Sequence, residues 1–265
     1  MIKAYFDGGN RCDSRVYDTA TLACIIGRPS VLRNFERLWK TNLAKHHISY
    51  LHTTDAMALQ GIYKKHGWGK PQRDSFLNDC ADIIAACALQ PHDPPENLGK
   101  TLVPTSTTLE LLDFKKVQAH DGPQDATQIL ATNGLGQAVT LAGAVRSHFI
   151  ELFFDRNEPY RGHVQDRLVN PRFLREMKRR NMDLSRYMLL GPELDMRDVP
   201  ELQAADMFAW AVGNQRRSSC SWQQTLLSIP SRLSEWFDHD VLKRPDPVVD
   251  ALEKSCQFPP RRPTP

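Results

Sequence analysis

The stretch Leu202–Gly213 reads as an almost wholly apolar helix, yet it carries an aspartate, Asp206. Two further aspartates sit as awkwardly. Asp7 ends the apolar run Ile2–Phe6, and Asp155 ends another, Phe149–Phe154. An isolated buried carboxylate is so unfavourable that it must be paired, protonated or bound to a cation. Any fold that buries these segments has to answer for each carboxylate. Two at strand ends and one on a helix point to a divalent-metal site.

With about 100° per residue, Leu202, Ala205, Ala209 and Val212 mark the inward face of this helix. Asp206 falls on the edge of that face, and Gln203, one turn back, shares its side. The alternative is a structural aspartate, hydrogen-bonded to an amide or paired with an arginine. Asp7 and Asp155 each follow a strand-like run, and in open α/β sheets ligands collect at the carboxyl ends of strands. If the two strands are parallel neighbours, the carboxylates meet and one pKa rises, a conflict that a divalent cation removes. The alternative is that each merely starts a turn. Mg²⁺ and Mn²⁺ prefer hard oxygen ligands. Two such ions about 4 Å apart can activate a water and stabilise the leaving oxygen of a phosphodiester.

His52 and Asp55 (LHTTD) come next, the histidine as proton shuttle or phosphate-orienting group. The competing reading is a solvated loop with Asp55 capping the following helix. Glu158 either adds a ligand or faces solvent, and solvent is the expectation. Asp13 and Asp18 read as loop residues. Basic residues cluster at Arg172, Arg175, Lys178, Arg179 and Arg180, and at Lys64, Lys65, Lys70 and Arg73 with Tyr63 and Trp68 among them. Such mixtures can track a nucleic-acid backbone and stack on bases. From these, Lys64, Lys65, Arg172, Arg175 and Arg179 are the candidate nucleic-acid contacts, against the reading of two solvated faces. A formal net charge of +3 permits a polyanionic partner without demanding one.

The 265 residues suffice for one large domain. Strands are expected at 2–6, with Asp7–Asn10 as the turn that ends the first, and at 19–27, 149–154 and 187–190. Helices are expected at 29–44, 70–90, 135–145, 171–180 and 200–215. Residues 48–55 read as a short extended segment, and the threonine-rich 101–111 as one or two strands. The order suits a mixed α/β fold with a central sheet, taken as one domain over 1–256 with a disordered Pro-rich tail, 257–265. No apolar stretch approaches the roughly 18 residues of a bilayer span. Asp7 comes too early for a secretory leader, so a cytoplasmic protein with no membrane partner is expected. The six scattered cysteines include no C-x-x-C pair, which argues against a zinc ribbon or a disulfide framework.

Four segments resemble the DUF3800 family, a group of uncharacterised bacterial and phage proteins with a ribonuclease H-like fold. YFDGGN resembles the family's Y-[IF]-D-E-[AS]-G opening, YLHTTDA its F-H-x-[TA]-D segment, and ELFFDRNE its apolar strand ending in Asp. ELQAADMFAWAV resembles its L-Q-A-A-D-L-x-A-[YW] helix and is the most specific match. The likeness runs from about Ile2 to Arg217. It implies a sheet with Asp7 on the first strand and Asp155 on a later one, and the Asp206 helix packed against them. It implies a cluster that binds Mg²⁺ or Mn²⁺ and cuts phosphodiesters, with roles in phage defence among the possibilities. One departure stands out: the family's Glu after the first Asp is Gly8 here. That departure motivates the alternative of a non-catalytic ribonuclease H-like binding or scaffold protein.

Overall fold

A computed structural model describes residues 1–9, 18–90, 95–115, 125–147, 149–156, 158–171, 174–175, 188–230 and 232–237. Asp13, Arg172, Lys178, Arg179, Arg180 and the Pro-rich tail lie outside them.

Six strands form one sheet: β1 (Ile2–Gly9), β2 (Thr19–Gly27), β3 (Val103–Glu110), β4 (Ile150–Asp155), β5 (Met188–Leu194) and β6 (Leu233–Phe237). Their order is β5-β4-β1-β2-β3-β6. β2 runs antiparallel to both its neighbours, and the β1–β4, β4–β5 and β3–β6 pairs are parallel. The protein is thus α/β, with a mixed sheet flanked by helices.

The period-two alternation of strands splits the core into two layers. Tyr5, Ala23, Ile25 and Phe153 face one side. There they meet α1 (Pro29–Lys45), α2 (Thr53–Ala58), α3 (Gly61–Lys65), α4 (Lys70–Cys87), α7 (Pro200–Gly213) and α8 (Ser221–Leu227). Ile2, Ala4, Phe6, Leu22, Cys24 and Ile26 face the other, against α5 (Ala126–Ala144) and α6 (Pro159–Val169). Aromatic pairs bridge β1 and β4 on both faces, Tyr5 on Phe153 and Phe6 on Phe154, each with centroids 4.8 Å apart.

Pro29 opens α1 at its first turn, where its missing N–H leaves no bond unmade. Phe35 and Trp39 are fully buried on that helix, and Phe76, Cys80 and Ile84 on α4, at the expected helical spacing. α5 begins nine residues before the expected 135, at Ala126, because Asp125 caps it by accepting from the Thr127 N–H at 2.9 Å. The threonine-rich segment is a single strand, β3, and its threonines are buried. The expected extended segment at 48–55 gives way at Thr53 to α2.

The expected turn at Asp7–Asn10 is a correction. β1 continues through Gly8 and Gly9, which pair with Leu22 and Thr21. The glycines serve close packing here. A Cβ on Gly9 would lie 3.1 Å from the Ala209 Cβ of α7.

α7 lies across β1, β2 and β3 beneath α1, α2 and α8. Every residue in it except Trp210 is buried. Its inward surface is therefore nearly the whole helix rather than one face. Among the described residues, no helix is long and apolar enough to cross a membrane.

Candidate metal centre

Asp7 is the third residue from the end of β1 and only 6% exposed. Its odd number puts it on the layer that holds α7. β4 runs parallel beside β1 with Phe6 opposite Phe154, so Asp7 and Asp155 stand level at adjacent carboxyl ends. α7 brings Asp206, also 6% exposed, down onto β1.

Each carboxylate is held by a backbone N–H. Asp7 Oδ1 accepts from Gly8 at 3.0 Å, Asp155 Oδ1 from Met196 at 2.8 Å, and Asp206 Oδ2 from Thr53 at 2.6 Å. The Thr53 hydroxyl lies beside Asp206 as well. It is fully buried and makes no hydrogen bond of ordinary geometry among the described residues.

Burial drives the Asp7 carboxyl well above the usual carboxylate range, and the charges of Asp206, Glu158 and Asp155 drive it further. Only the Gly8 N–H opposes them. Asp206 is also raised by burial, but His52 and the two Thr53 groups pull it back while Asp155 pushes it up. Asp7 is thus the carboxylate with the least compensation.

Gln203 joins the two loops that hold the site. Its Oε1 accepts from Trp39 Nε1 at 2.8 Å and from the Leu51 N–H at 2.9 Å. Its Nε2 donates to the carbonyls of Met196 at 3.0 Å and Arg197 at 3.2 Å. Leu51 lies two residues before the N–H that holds Asp206. Met196 supplies the N–H that holds Asp155.

Position 8 looks away from Asp7, toward α6. A Cβ on Gly8 would lie 2.6 Å from Tyr160 Cε2 and 3.0 Å from Glu158 Oε1. A glutamate there would collide with a buried ring. The space it would need already holds the end of another carboxylate. The expectation that Glu158 faces solvent is therefore corrected. It is half-buried at the N-cap of α6, and its charge reaches Asp7.

His52 precedes α2 and holds Asp55 Oδ2 at 3.1 Å from its Nδ1. The side chains are 36% and 34% exposed, so the pair opens to solvent next to Asp206. Asp55 pairs with His52 from the first turn of α2 instead of standing at its N-cap. Lys64 and Lys65 are exposed on α3. Arg175 lines a shallow cleft with Asp166, Val169, Asn170 and Pro171, apart from the three aspartates. A separate cleft of about 690 Å³, lined among others by Arg28, Asn34, Cys87 and Lys100, includes none of them either. The residues that sequence reasoning missed are Thr53 and Met196. They act through backbone N–H groups, which carry no residue-type signal.

Three anchored carboxylates and a buried hydroxyl beside one of them are hard oxygen donors, the kind that suit Mg²⁺ or Mn²⁺. Among the described residues, however, no three His, Cys, Asp or Glu side chains are grouped so as to hold a metal ion as they stand. No protein-family model matches the chain, and no curated protein matches its sequence.

Proposed function

We propose that the chain is a divalent-metal-dependent nuclease or related phosphodiesterase with a ribonuclease H-like sheet, in which Asp7, Asp155 and Asp206 hold Mg²⁺ or Mn²⁺. The observation that carries this reading is Asp7. It is buried and pushed up by three neighbouring carboxylates, with only one N–H in its favour. A proton or a cation has to supply the missing positive charge. Further support comes from the level placement of Asp7 and Asp155 on parallel strands with the Asp206 helix packed on them. That is the arrangement which the likeness to DUF3800 proteins implies.

When bound, the metal supplies water activation and stabilisation of the leaving oxygen. The chain's own residues do the rest. Asp55 holds His52 at Nδ1, which leaves Nε2 to carry a proton to or from the reacting centre. Thr53 and Met196 fix the carboxylates from the backbone. Because the side chains are not grouped around an ion as they stand, metal binding on this reading is coupled to rotation of at least one of them.

The test is a cleavage assay on single- and double-stranded DNA, RNA and hybrid over Mg²⁺ and Mn²⁺. Cleavage that disappears in Asp7→Asn and in Asp206→Asn is the expected result. No cleavage of any substrate with either metal sinks the proposal. The incomplete grouping of ligands favours a second reading, a non-catalytic binding module on the same fold. It predicts that Asp206→Asn keeps function and raises thermal stability.

A further inference from the structure

Beside the carboxylates, two residues far apart in the chain meet. The Arg197 guanidinium lies 5.5 Å from the centre of the Tyr50 ring. Arg197 is exposed and Tyr50 half-buried. Both are tied to the site through Gln203. Its amide bonds the carbonyl of Arg197 itself and the N–H of Leu51, the residue after Tyr50. Gln203 precedes Asp206 by three residues on α7, about 4.5 Å along the helix axis. Gln203 thus ties together the backbone segments on which the two side chains stand.

Two polar neighbours flank the pair, one of them a fixed cation. Arg156, directly after Asp155, has a side chain 61% exposed and leans on Asp195 at 3.9 Å, a contact too long and too exposed to occupy it. His52 opens to solvent on the opposite loop. A guanidinium over an aromatic ring, with the exposed Arg156 beside it, set at the rim of a carboxylate cluster, suits one class of ligand. Guanidinium planes and aromatic rings stack on unpaired bases. Arginine also binds phosphate in a forked geometry.

We propose that Tyr50 and Arg197 form a base-stacking platform that seats single-stranded nucleic acid, with Arg156 and His52 contacting the flanking phosphates. This rests on the nuclease reading for its purpose. It is a contact surface distinct from Lys64 and Lys65 on α3 and Arg175 beside α6. A single strand is favoured because a duplex hides its base faces from such a stack.

The test is fluorescence anisotropy with a labelled oligothymidylate and its duplex, in EDTA so that no metal-dependent cleavage intervenes. Tyr50→Ala should weaken single-strand binding by about 5–150-fold, the range for loss of one stacking contact. Tyr50→Trp should retain it. Arg197→Ala should weaken it too, and Arg156→Ala should lower the slope of log affinity against log salt by about 0.7. Unchanged binding in Tyr50→Ala, equal affinity for the duplex, or no binding by the wild-type chain overturns the platform. The two proposals separate cleanly. Tyr50-dependent binding without metal-dependent cleavage upholds the platform and refutes the nuclease. Asp206-dependent cleavage with Tyr50-independent binding does the reverse.

Discussion

Replacing Gln203 with leucine tests whether one side chain holds both site loops. Leucine is close in size but bonds nothing. The change strips the acceptor from the Trp39 Nε1–H and from the Leu51 N–H, both buried. A buried donor left unsatisfied costs about 1–3 kcal/mol, so the two together cost about 2–6 kcal/mol. The carbonyls of Met196 and Arg197 lie nearer the surface and turn to water, adding little. Against a typical total stability of about 5–15 kcal/mol, the variant should remain mostly folded but with a clearly lower urea midpoint. Trp39→Phe removes one of the same donors, so the double variant should lose less than the sum of the singles. The loss should also reach the site, because Met196 and Leu51 frame the N–H groups that hold Asp155 and Asp206. The rise in melting temperature produced by Mn²⁺ should shrink accordingly. A Gln203→Leu protein within about 0.5 kcal/mol of wild type, the range of an ordinary surface change, would refute the reasoning.

Two further expectations concern pH. Burial pushes the Glu201 carboxyl from 4.5 up to about 7. Its contribution to stability is therefore fully present below pH 4.5 and lost as pH rises through 7, a loss of about 3 kcal/mol at 1.36 kcal/mol per unit. Glu201→Gln should match wild type at the acid end and exceed it above pH 7 in denaturation curves taken across pH; parallel curves would count against this. Asp7 is raised in the same direction, so the metal-free protein should lose stability as pH climbs above the ordinary carboxylate range. Asp7→Asn should flatten that slope and abolish the Mn²⁺-induced rise in melting temperature, both read by thermal scanning. An Mn²⁺ response that survives the substitution would remove Asp7 from the metal site.

The elements built on apolar runs were legible in the sequence. Ile2–Phe6, Thr19–Gly27 and Phe149–Phe154 announce β1, β2 and β4, and the pattern of 200–215 announces α7, because buried segments must be apolar whatever surrounds them. The joint placement of Asp7, Asp155 and Asp206 near one another follows from the same runs. Other features depend on contacts between distant residues. Gly8 and Gly9 look like a turn, and only Tyr160 and Ala209 explain why they are strand. The threonine-rich 101–111 leaves one strand or two open, and burial of its threonines beside β2 and β6 makes it one. Glu158 was expected in solvent because nothing local shows that Gly8 leaves room for it. Thr53 and Met196 serve the site through the one group that every non-proline residue shares. Tyr50 and Arg197, far apart in the chain, carry no common motif.

α7 has a consequence for how this protein can diverge. The helix is both the centre of the packing and the carrier of Asp206, and all but one of its residues is buried. A substitution there that adjusts the site also disturbs the core layer on that side of the sheet. Variation in chemistry is therefore confined to the segments around Tyr50–Asp55 and Asp195–Val199, which touch the same carboxylates from the solvent side. The molecule separates a tightly packed inner half of its site from a mutable outer half. Relatives that differ in what they bind should differ first in those two short loops.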